Sequence, residues 1–235
     1  MDSDFLSNTE LYYSPADNVN GDELTIYGEE YGHIVRVMRH SAGDALNVTD
    51  GKGSIYACEI ADIRKDHLIA RVRNRITYEN KLKNICFCIA RLKSADRFEF
   101  ALEKCVELGI TNFIVFEAIR SVSKGEKLER WQKVLVSSMK QSLRSYLPEI
   151  KFYKNLSDIK KLEGEKIIFE QHSDKRFSGF APAEGRMHYL VFGPEGGLDK
   201  NEIDLFDAGS VYCLTENRLR SETAVITASA IIAML

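Results

Sequence analysis

The chain has 235 residues, of which 44% are hydrophobic and 29% charged, and its formal net charge is −3. This composition supports one large domain or two modest ones. The apolar runs are too short to span a membrane, and the acidic start MDSDFLSNTE lacks the basic and apolar stretches of a signal peptide, so we expect a cytoplasmic protein.

The cysteines and histidines do not have the spacing of a metal site. The five cysteines include no Cys-x-x-Cys pair, and the five histidines are scattered. Cys86 and Cys88 alternate in NICFCIARL, so on a strand they would share one face, where apolar packing is a better interpretation than a metal pair. The sequence predicts no metal.

The charge is distributed unevenly along the chain. Residues 1–30 hold eight acidic and no basic residues, whereas residues 81–161 hold seventeen basic and nine acidic ones. A basic middle in an acidic protein is typical of an RNA-facing surface. Solvated lysines on long helices would give the same pattern, so the charge alone leaves both interpretations open.

The first third of the chain is predicted to consist mostly of strands. After a helical pattern at 28–40, alternating segments at 44–50 and 54–63 flank the hairpin signal Asp50-Gly51-Lys52-Gly53. A further strand is predicted at 67–76. Short strands joined by tight turns indicate a small β-barrel.

From about residue 82 strands alternate with helices, which indicates an α/β domain with a mainly parallel sheet. The polar stretch TYENKLKN marks the boundary, so we assign residues 1–76 to the β-barrel domain and residues 77–235 to the α/β domain. The predicted strands are 84–92, 112–119, 166–171, 188–193 and 211–215. The predicted helices are 94–110, 128–143, 199–206 and 221–235.

The segment LVFGPEGGLDKNEIDLF places three glycines and a proline around one carboxylate between a strand and a helix. It matches neither the dinucleotide motif nor the P-loop. Glycines after a strand let the backbone approach a flat ligand, and ligands bind at the carboxyl ends of parallel strands. Asp199 and Glu202 predict a capping box for the following helix. A tight turn without a ligand is the alternative.

The last helix begins with Arg220, Ser221, Glu222 and Thr223. An arginine and a carboxylate beside a glycine-rich loop could form an active site, although helix capping would explain the serine, threonine and glutamate. The helix is apolar nearly all round, which predicts burial within the domain or against a partner chain. Glu170–His172 would end a third strand of the same sheet.

Five segments, in order, resemble one known family over nearly the whole chain. GPEGGLDKNEI and LRSETA together look like the RsmE family, S-adenosylmethionine-dependent methyltransferases of the SPOUT class that act on a uridine of small-subunit ribosomal RNA. The other three are similar to the family's His…Val-Leu-Arg…Gly stretch, its Glu-Leu-Gly helix and its Gln-Ser-x-Arg…Pro segment. They are HIVRVMRHSAGDALNVTDG, LKSADRFEFALEKCVELGI and MKQSLRSYLPEI.

The chain departs from the family pattern at three places. Thr215 stands where a glycine usually follows leucine, and Lys140 stands where an acidic residue usually precedes the Gln-Ser pair. Residues 217–220 are Asn-Arg-Leu-Arg where the family usually has Arg-Ile-Leu-Arg, so only Leu219 and Arg220 match the family motif.

The resemblance implies a PUA-like β-barrel followed by a SPOUT α/β domain with a trefoil knot, assembled as a homodimer. It also implies that S-adenosyl-L-methionine binds in the knot among three loops. The cofactor-binding residues that it carries over are Glu170, Gln171, His172, Phe192, Gly193, Pro194, Glu195, Gly196, Gly197, Leu214, Thr215, Glu216, Asn217, Leu219, Thr223 and Ala224.

The implied reaction is methylation of uridine N3 in the 16S ribosomal RNA of the small subunit. The uridine must leave its stack and lose the N3 proton, and negative charge then spreads onto O2 and O4. We expect Arg220 to stabilise that charge, with Glu222 as the base or as the group that orients Arg220. The residues expected to contact RNA are His33, Arg36, Arg39, Arg91, Lys93 and Arg144.

Two other functions stay open. A related SPOUT methyltransferase acting on transfer RNA, on another ribosomal RNA site or on ribose oxygens would share the cofactor loops, although the N-terminal match favours the ribosomal uridine. A non-catalytic RNA-binding or ribosome-assembly protein would need no such loops. A nucleotide-dependent oxidoreductase lacks its loop signature.

Overall fold

The computed structural model describes residues 9–178, 180, 182–183 and 185–234. The chain divides into two compact units. The first contains residues up to 80 together with residues 139–147, and the second contains residues 81–138 and those from 148 onward.

The first unit is a six-stranded, mostly antiparallel sheet around one apolar core. Its strands run in the order β1-β4-β5-β6-β3-β2, and only the β1–β4 pair is parallel. Core residues come from β1 at one end of this order and from β3 near the other, so the sheet curves around them. The strands are β1 (Leu11–Tyr13), β2 (Val19–Asn20), β3 (Glu23–Tyr27), β4 (Ala45–Thr49), β5 (Ser54–Ile63) and β6 (His67–Thr77).

A short helical segment links β3 to β4. Helix α1 (Gly28–Gly32) continues into a π-helical turn at His33–Val37. The chain then turns at Arg39, whose φ is 61°. This segment confirms the predicted helix at 28–40, and Ile34 on it is fully buried in the core.

Residues 139–147 join the first unit through the predicted hairpin loop at 50–53. Gly53 N donates to Ser145 O (2.9 Å), and Leu147 N donates to Gly51 O (2.9 Å). A Cβ at Gly53 would lie 2.5 Å from the hydroxyl oxygen of Tyr146. The φ of 108° at Gly53 is a conformation that favours glycine, and a side chain there would also displace the Tyr146 ring.

The second unit is built on a six-stranded parallel sheet in the order β12-β10-β11-β7-β8-β9. Its strands are β7 (Ile85–Ala90), β8 (Asn112–Phe116), β9 (Glu149–Tyr153), β10 (Glu165–Phe169), β11 (His188–Phe192) and β12 (Val211–Tyr212). Its helices are α2 (Ala95–Glu107), α3 (Leu128–Gln141), α4 (Leu156–Lys160), α5 (Lys200–Ile203) and α6 (Ser221–Ala233). The last three residues of α3 are assigned to the first unit. All strands are parallel, so their carboxyl ends meet at one edge.

Local sequence explains the central elements of this unit. Every residue of β7 is buried, including Cys86 and Cys88, as a strand covered on both faces requires. Ser94 caps α2 by accepting a hydrogen bond from Arg97 N (3.4 Å), and Gly109 follows the helix with a φ of 96°. The apolar face of α2 packs against α6.

Some elements differ from the sequence-based expectation. The helix predicted at 199–206 is a single turn, and the strand predicted at 211–215 has only two residues. Strand β9 and helix α4 were not predicted. No helix in the described part of the chain is long and apolar enough to cross a membrane.

Candidate active site

A cavity of about 870 Å³ lies at the carboxyl edge of the parallel sheet. Three loops form most of its wall, namely residues 170–172 after β10, residues 193–198 after β11 and residues 214–219 after β12. The rings of Phe169 and Phe192, at the ends of two adjacent strands, also line it and stack with their centroids 4.8 Å apart. Its size suits a small-molecule site.

The single carboxylate of the glycine loop fastens that loop to a neighbouring one. Glu195 Oε1 accepts a hydrogen bond from the backbone N of Lys93 (2.9 Å), in the loop after β7. Arg120, in the loop after β8, donates to Gly196 O and to Asp199 Oδ2, both at 3.1 Å. The glycine loop is therefore held by residues from two other strand ends.

The glycines of this loop are needed for close packing and for backbone conformation. A Cβ at Gly193 would lie 3.0 Å from Leu198 N and 3.2 Å from Gly197 C, which is tighter than ordinary contact. Gly197 has a φ of 69°, a conformation that is costly for other residues. The turn thus brings Gly193 close to Leu198, and all three glycines of the loop line the cavity without a side chain between it and the backbone.

The first and third loops are hydrogen-bonded to each other. Gln171 Nε2 donates to Thr215 O (3.3 Å) and to Glu216 O (3.4 Å), and Glu170 N donates to Tyr212 O at the end of β12 (2.9 Å). Because Thr215 takes part through its carbonyl oxygen, its side chain does not disturb this link. The departure from glycine is thus compatible with the contact between the loops.

Most of the predicted cofactor-binding residues line this one cavity. Asn217 and Thr223 do not line it, and both are exposed. Sequence reasoning missed several residues of the wall, which come from the loop after β8, from α5 and from the segment leading into α6. They are Arg120, Lys200, Ile203, Arg218 and Ser221, together with Phe169 and Leu198 beside predicted positions.

The two predicted catalytic residues lie at the start of α6 but do not line the cavity. Arg220 is the exposed N-cap residue, and its neighbours Leu219 and Ser221 both line the cavity. Glu222 is only 8% exposed, and its Oε1 lies 3.7 Å from Nε of Arg97 on α2. The ion pair of Glu222 is therefore formed with Arg97, and the expectation that Glu222 orients Arg220 is not supported.

Arg91 is the predicted RNA contact that the structure places differently. It is 4% exposed, and its guanidinium lies over the rings of Trp131 (5.0 Å) and Phe98 (5.6 Å). Burial lowers the pKa of this guanidinium. Because the group is packed against aromatic rings, Arg91 is a core residue and not a surface cation.

The other predicted RNA contacts are exposed, and they are divided between the two units. Lys93 lies beside the glycine loop in the second unit. His33, Arg36, Arg39 and Arg144 belong to the first unit and are exposed.

The buried side chain of Glu202 on α5 connects two loops near the cavity by hydrogen bonds. It is 5% exposed, and its two carboxylate oxygens accept hydrogen bonds from Ile119 N (3.0 Å) and Asp199 N (2.9 Å). The second bond completes the predicted capping box with Asp199. The first bond ties the loop after β8 to the loop after β11.

We expect Glu202→Ala to lower the free energy of unfolding by about 2–4 kcal/mol, because two backbone N–H groups lose their acceptors. Glu202→Gln, which keeps one acceptor oxygen, should lose about half as much. Urea titration measures the free energy of unfolding of both variants. Asp204→Ala, at the residue that ends this helix, is the control, since its exposed pair with Lys200 should contribute less than about 1 kcal/mol. Equal losses for Glu202→Ala and Asp204→Ala would contradict this role.

Comparison with known protein families defines the class of the protein. Residues 79–233 match a family model described as an RNA methyltransferase domain, and residues 26–73 match one described as an RNA methyltransferase PUA domain. The first match covers more than half of the chain. The cavity and its three loops therefore lie in the methyltransferase domain of an RNA methyltransferase.

The relatives narrow this class to one family. The ribosomal RNA small subunit methyltransferase E of Bacillus subtilis is 31% identical over 223 residues, which cover 87% of each chain. The chain belongs to this family, the RsmE family, as its sequence motifs indicated. A probable rRNA-methyltransferase from Porphyromonas gingivalis has 29% identity and a TM-score of 0.82 over 96% of this chain and 97% of its own.

A further solved structure supports the fold. The ribosomal RNA small subunit methyltransferase E from Neisseria gonorrhoeae, crystallised with S-adenosyl methionine, has a TM-score of 0.83 at 24% identity, over 97% of this chain and 98% of its own. The predicted fold class, a PUA-like β-barrel with a SPOUT α/β domain, is confirmed.

Proposed function

We propose that this protein transfers the methyl group of S-adenosyl-L-methionine to N3 of a uridine in 16S ribosomal RNA of the small subunit. The observation that carries the proposal is the cavity formed by three strand-end loops within a chain that matches the RsmE family over most of its length. The proposed setting is cytoplasmic. We also propose that residues 1–76 bind RNA and that residues 77–235 carry the chemistry.

The residues of the cavity fit the proposed cofactor. Leu198, Ile203, Leu214 and Leu219 offer apolar walls for an adenine ring. The close turn at Gly193 leaves the loop backbone accessible to polar groups of a ligand. When bound, S-adenosyl-L-methionine supplies a methyl group on a sulfonium, which is an activated donor and needs no metal.

The residues at the start of α6 then act on the acceptor base. Arg220 lies between Leu219 and Ser221 of the cavity wall, and its guanidinium would stabilise the negative charge that develops on the uracil oxygens. Glu222 would accept the N3 proton only if the helix start moves, because the carboxylate is buried against Arg97. We therefore assign the charge-stabilising role to Arg220 and keep Glu222 as a proposed base.

Transfer of labelled methyl from S-adenosylmethionine to small ribosomal subunits that lack the modification tests the function. After digestion of the RNA, we expect the label in N3-methyluridine. Cofactor binding is measured in parallel by titration. Label in another nucleoside, or cofactor binding without transfer to this RNA, would favour a different RNA substrate. Absence of cofactor binding would favour the non-catalytic RNA-binding function.

Affinity for ribosomal RNA should fall steeply with added salt. Four exposed cations are proposed to contact phosphates, namely Arg36, Arg39, Lys93 and Arg144. Release of counterions from single-stranded RNA then gives a slope of about −3 in a plot of log affinity against log salt concentration. Filter binding of small-subunit RNA over a series of KCl concentrations measures it. A flat response would contradict phosphate contact.

We further propose that the protein is a homodimer that buries the outer face of α6. Val225, Ala228 and Ile232 are buried, whereas Ile226 and Ile231 on the same apolar helix are only partly covered. Phe100 on the neighbouring helix α2 is 49% exposed, and Met234 is 85% exposed.

We expect Ile226→Asp to weaken dimer formation by about 3 kcal/mol or more, roughly a hundredfold, since it would bury an unpaired charge. Sedimentation equilibrium measures the association. Ile76→Asp, at an exposed position of β6, is the control and should leave association unchanged. A wild-type protein that sediments as a monomer would refute the proposal.

A further inference from the structure

Arg218, in the loop after β12, brings a positive charge to the cavity of the candidate active site. The residue lines the cavity and is exposed, and within the described part of the chain its guanidinium forms neither an ion pair nor a hydrogen bond. It stands at a position where the chain departs from the family motif, so the resemblance assigns it no role. An unpaired guanidinium in a cavity wall suits an anionic group of a ligand.

The other two basic side chains of the described cavity wall already have anionic partners. Arg120 donates to Asp199 Oδ2 (3.1 Å), and Lys200 forms an ion pair with Asp204. Neither aspartate lines the cavity, so each neutralises its cation from outside the wall. Arg218 is therefore the basic group of this wall that stays available to a ligand.

Three carboxylates also line the cavity, so its wall carries no net charge from acidic and basic side chains. Glu216 pairs with Arg176, and Glu195 Oε1 accepts a hydrogen bond from Lys93 N (2.9 Å), which fastens the glycine loop. Glu170 Oε1 accepts only from the backbone N of the next residue (3.0 Å), and its Oε2 accepts no hydrogen bond from the described residues. One carboxylate oxygen is thus left open beside one open guanidinium.

A ligand that carries both charges fits such a wall better than a simple anion does. The amino-acid end of S-adenosyl-L-methionine has an α-carboxylate and an α-ammonium on the same carbon. The planar fork of arginine matches a carboxylate, and a carboxylate accepts from an ammonium. Glu170 and Arg218 belong to the two loops that Gln171 Nε2 joins by donating to Thr215 O and Glu216 O. The two open groups therefore lie on adjoining loops of one cavity.

We propose that Arg218 binds the α-carboxylate of S-adenosyl-L-methionine, while Glu170 accepts a hydrogen bond from the α-ammonium. The inference rests on the proposed function through its cofactor. Arg218 then contributes to cofactor affinity and takes no part in methyl transfer, because the transferred methyl group is on the sulfonium at the other end of the amino-acid chain.

The variant Arg218→Leu, titrated with two ligands, tests the carboxylate contact. Decarboxylated S-adenosylmethionine lacks only the α-carboxylate and keeps the ammonium and the sulfonium. We expect the wild-type protein to bind it about tenfold more weakly than S-adenosyl-L-methionine in isothermal titration, because one charge-assisted contact is lost. Arg218→Leu should bind S-adenosyl-L-methionine about tenfold more weakly than wild type does, and it should bind the two ligands equally.

Two further variants complete the test, with circular dichroism as the check on folding. Arg186→Leu is the matched control, because it removes an exposed arginine two residues before β11, at the amino edge of the sheet, and it should bind both ligands as wild type does. Glu170→Gln should weaken both ligands by the same factor, since both carry the ammonium. Unchanged affinity in Glu170→Gln would overturn the ammonium contact.

The outcomes for Arg218→Leu separate this inference from the proposed function. Wild-type affinity for S-adenosyl-L-methionine, or an equal loss for both ligands, would overturn the inference. Unchanged cofactor affinity with a raised KM for small ribosomal subunits would also overturn it, and would assign Arg218 to an RNA phosphate. A wild-type protein that shows the expected binding but transfers no methyl group to small subunits would refute the proposed function and leave the inference intact.

Discussion

Arg220→Ala is expected to lower kcat about 10²–10³-fold while cofactor affinity stays within about twofold of wild type. Removal of one group that stabilises transition-state charge costs this much in other enzymes. The side chain caps no helix bond, and only the backbone of Arg220 serves α6, by accepting from Ala224 N (2.9 Å). The substitution should therefore remove charge without changing the cavity wall.

Single-turnover methylation of small subunits measures the rate of methyl transfer, and titration with the cofactor measures cofactor affinity. Arg220→Lys keeps the positive charge and should retain more turnover than Arg220→Ala, although the planar fork is lost. If Arg220→Ala turns over like wild type, the residue has no part in the chemistry. If cofactor affinity falls with turnover, Arg220 belongs to the cofactor site.

Gly193→Val is expected to weaken cofactor binding roughly 5- to 150-fold, which corresponds to about 1–3 kcal/mol. The added Cβ would meet Leu198 N at 3.0 Å and Leu198 Cγ at 3.1 Å, and the two methyl groups beyond it need still more room. Overpacking of this kind costs about 1–3 kcal/mol or forces the backbone to move. The loop that moves is the one that faces the cavity, so the loss should appear in ligand affinity.

Isothermal titration with S-adenosyl-L-methionine measures this effect, with circular dichroism as the check on folding. Gly209→Val is the matched control, because nothing lies within 4 Å of a Cβ built there. Gly209 lies in the turn just before β12 and outside the cavity lining. Wild-type affinity in Gly193→Val would show that the tight turn is not needed for the ligand.

Much of the parallel sheet could be predicted from the sequence because its signals are local. The continuous apolar run of β7, the serine cap and glycine stop of α2, and the Asp199–Glu202 capping box depend on residues within a few positions of each other. Shorter elements were harder to predict. Strand β9 has a half-exposed pattern at the sheet edge, and α4 is only five residues long, so neither has a strong period.

The family resemblance predicted most of the residues that line the cavity. It did not predict the rest of the cavity wall. Arg120 has no motif of its own, and its role follows from bonds to residues 76 and 79 positions away. The rule that carboxyl ends of parallel strands meet at one edge would have suggested the loop after β8. It would not have selected this arginine, because side-chain direction depends on packing.

Arg91 is a residue whose burial could not be predicted from its type. A basic residue after a strand favours a surface contact on composition alone. The aromatic rings that cover it come from α2 and α3, and only the packed structure brings them over the guanidinium. Glu222 is similar, since its partner Arg97 lies on another helix and over a hundred positions earlier in the chain.

By itself, the sequence determined the two kinds of domain, the glycine loop with its strand and helix, and the family, because periodicity, capping and motifs are properties of neighbouring residues. The tertiary structure alone decided which side chains face the cavity, which charges are buried, and that residues 139–147 belong with the first unit. Those outcomes depend on contacts between distant parts of the chain. The approach of the Tyr146 ring to Gly53 is one such contact, because the two residues are more than ninety positions apart in the chain.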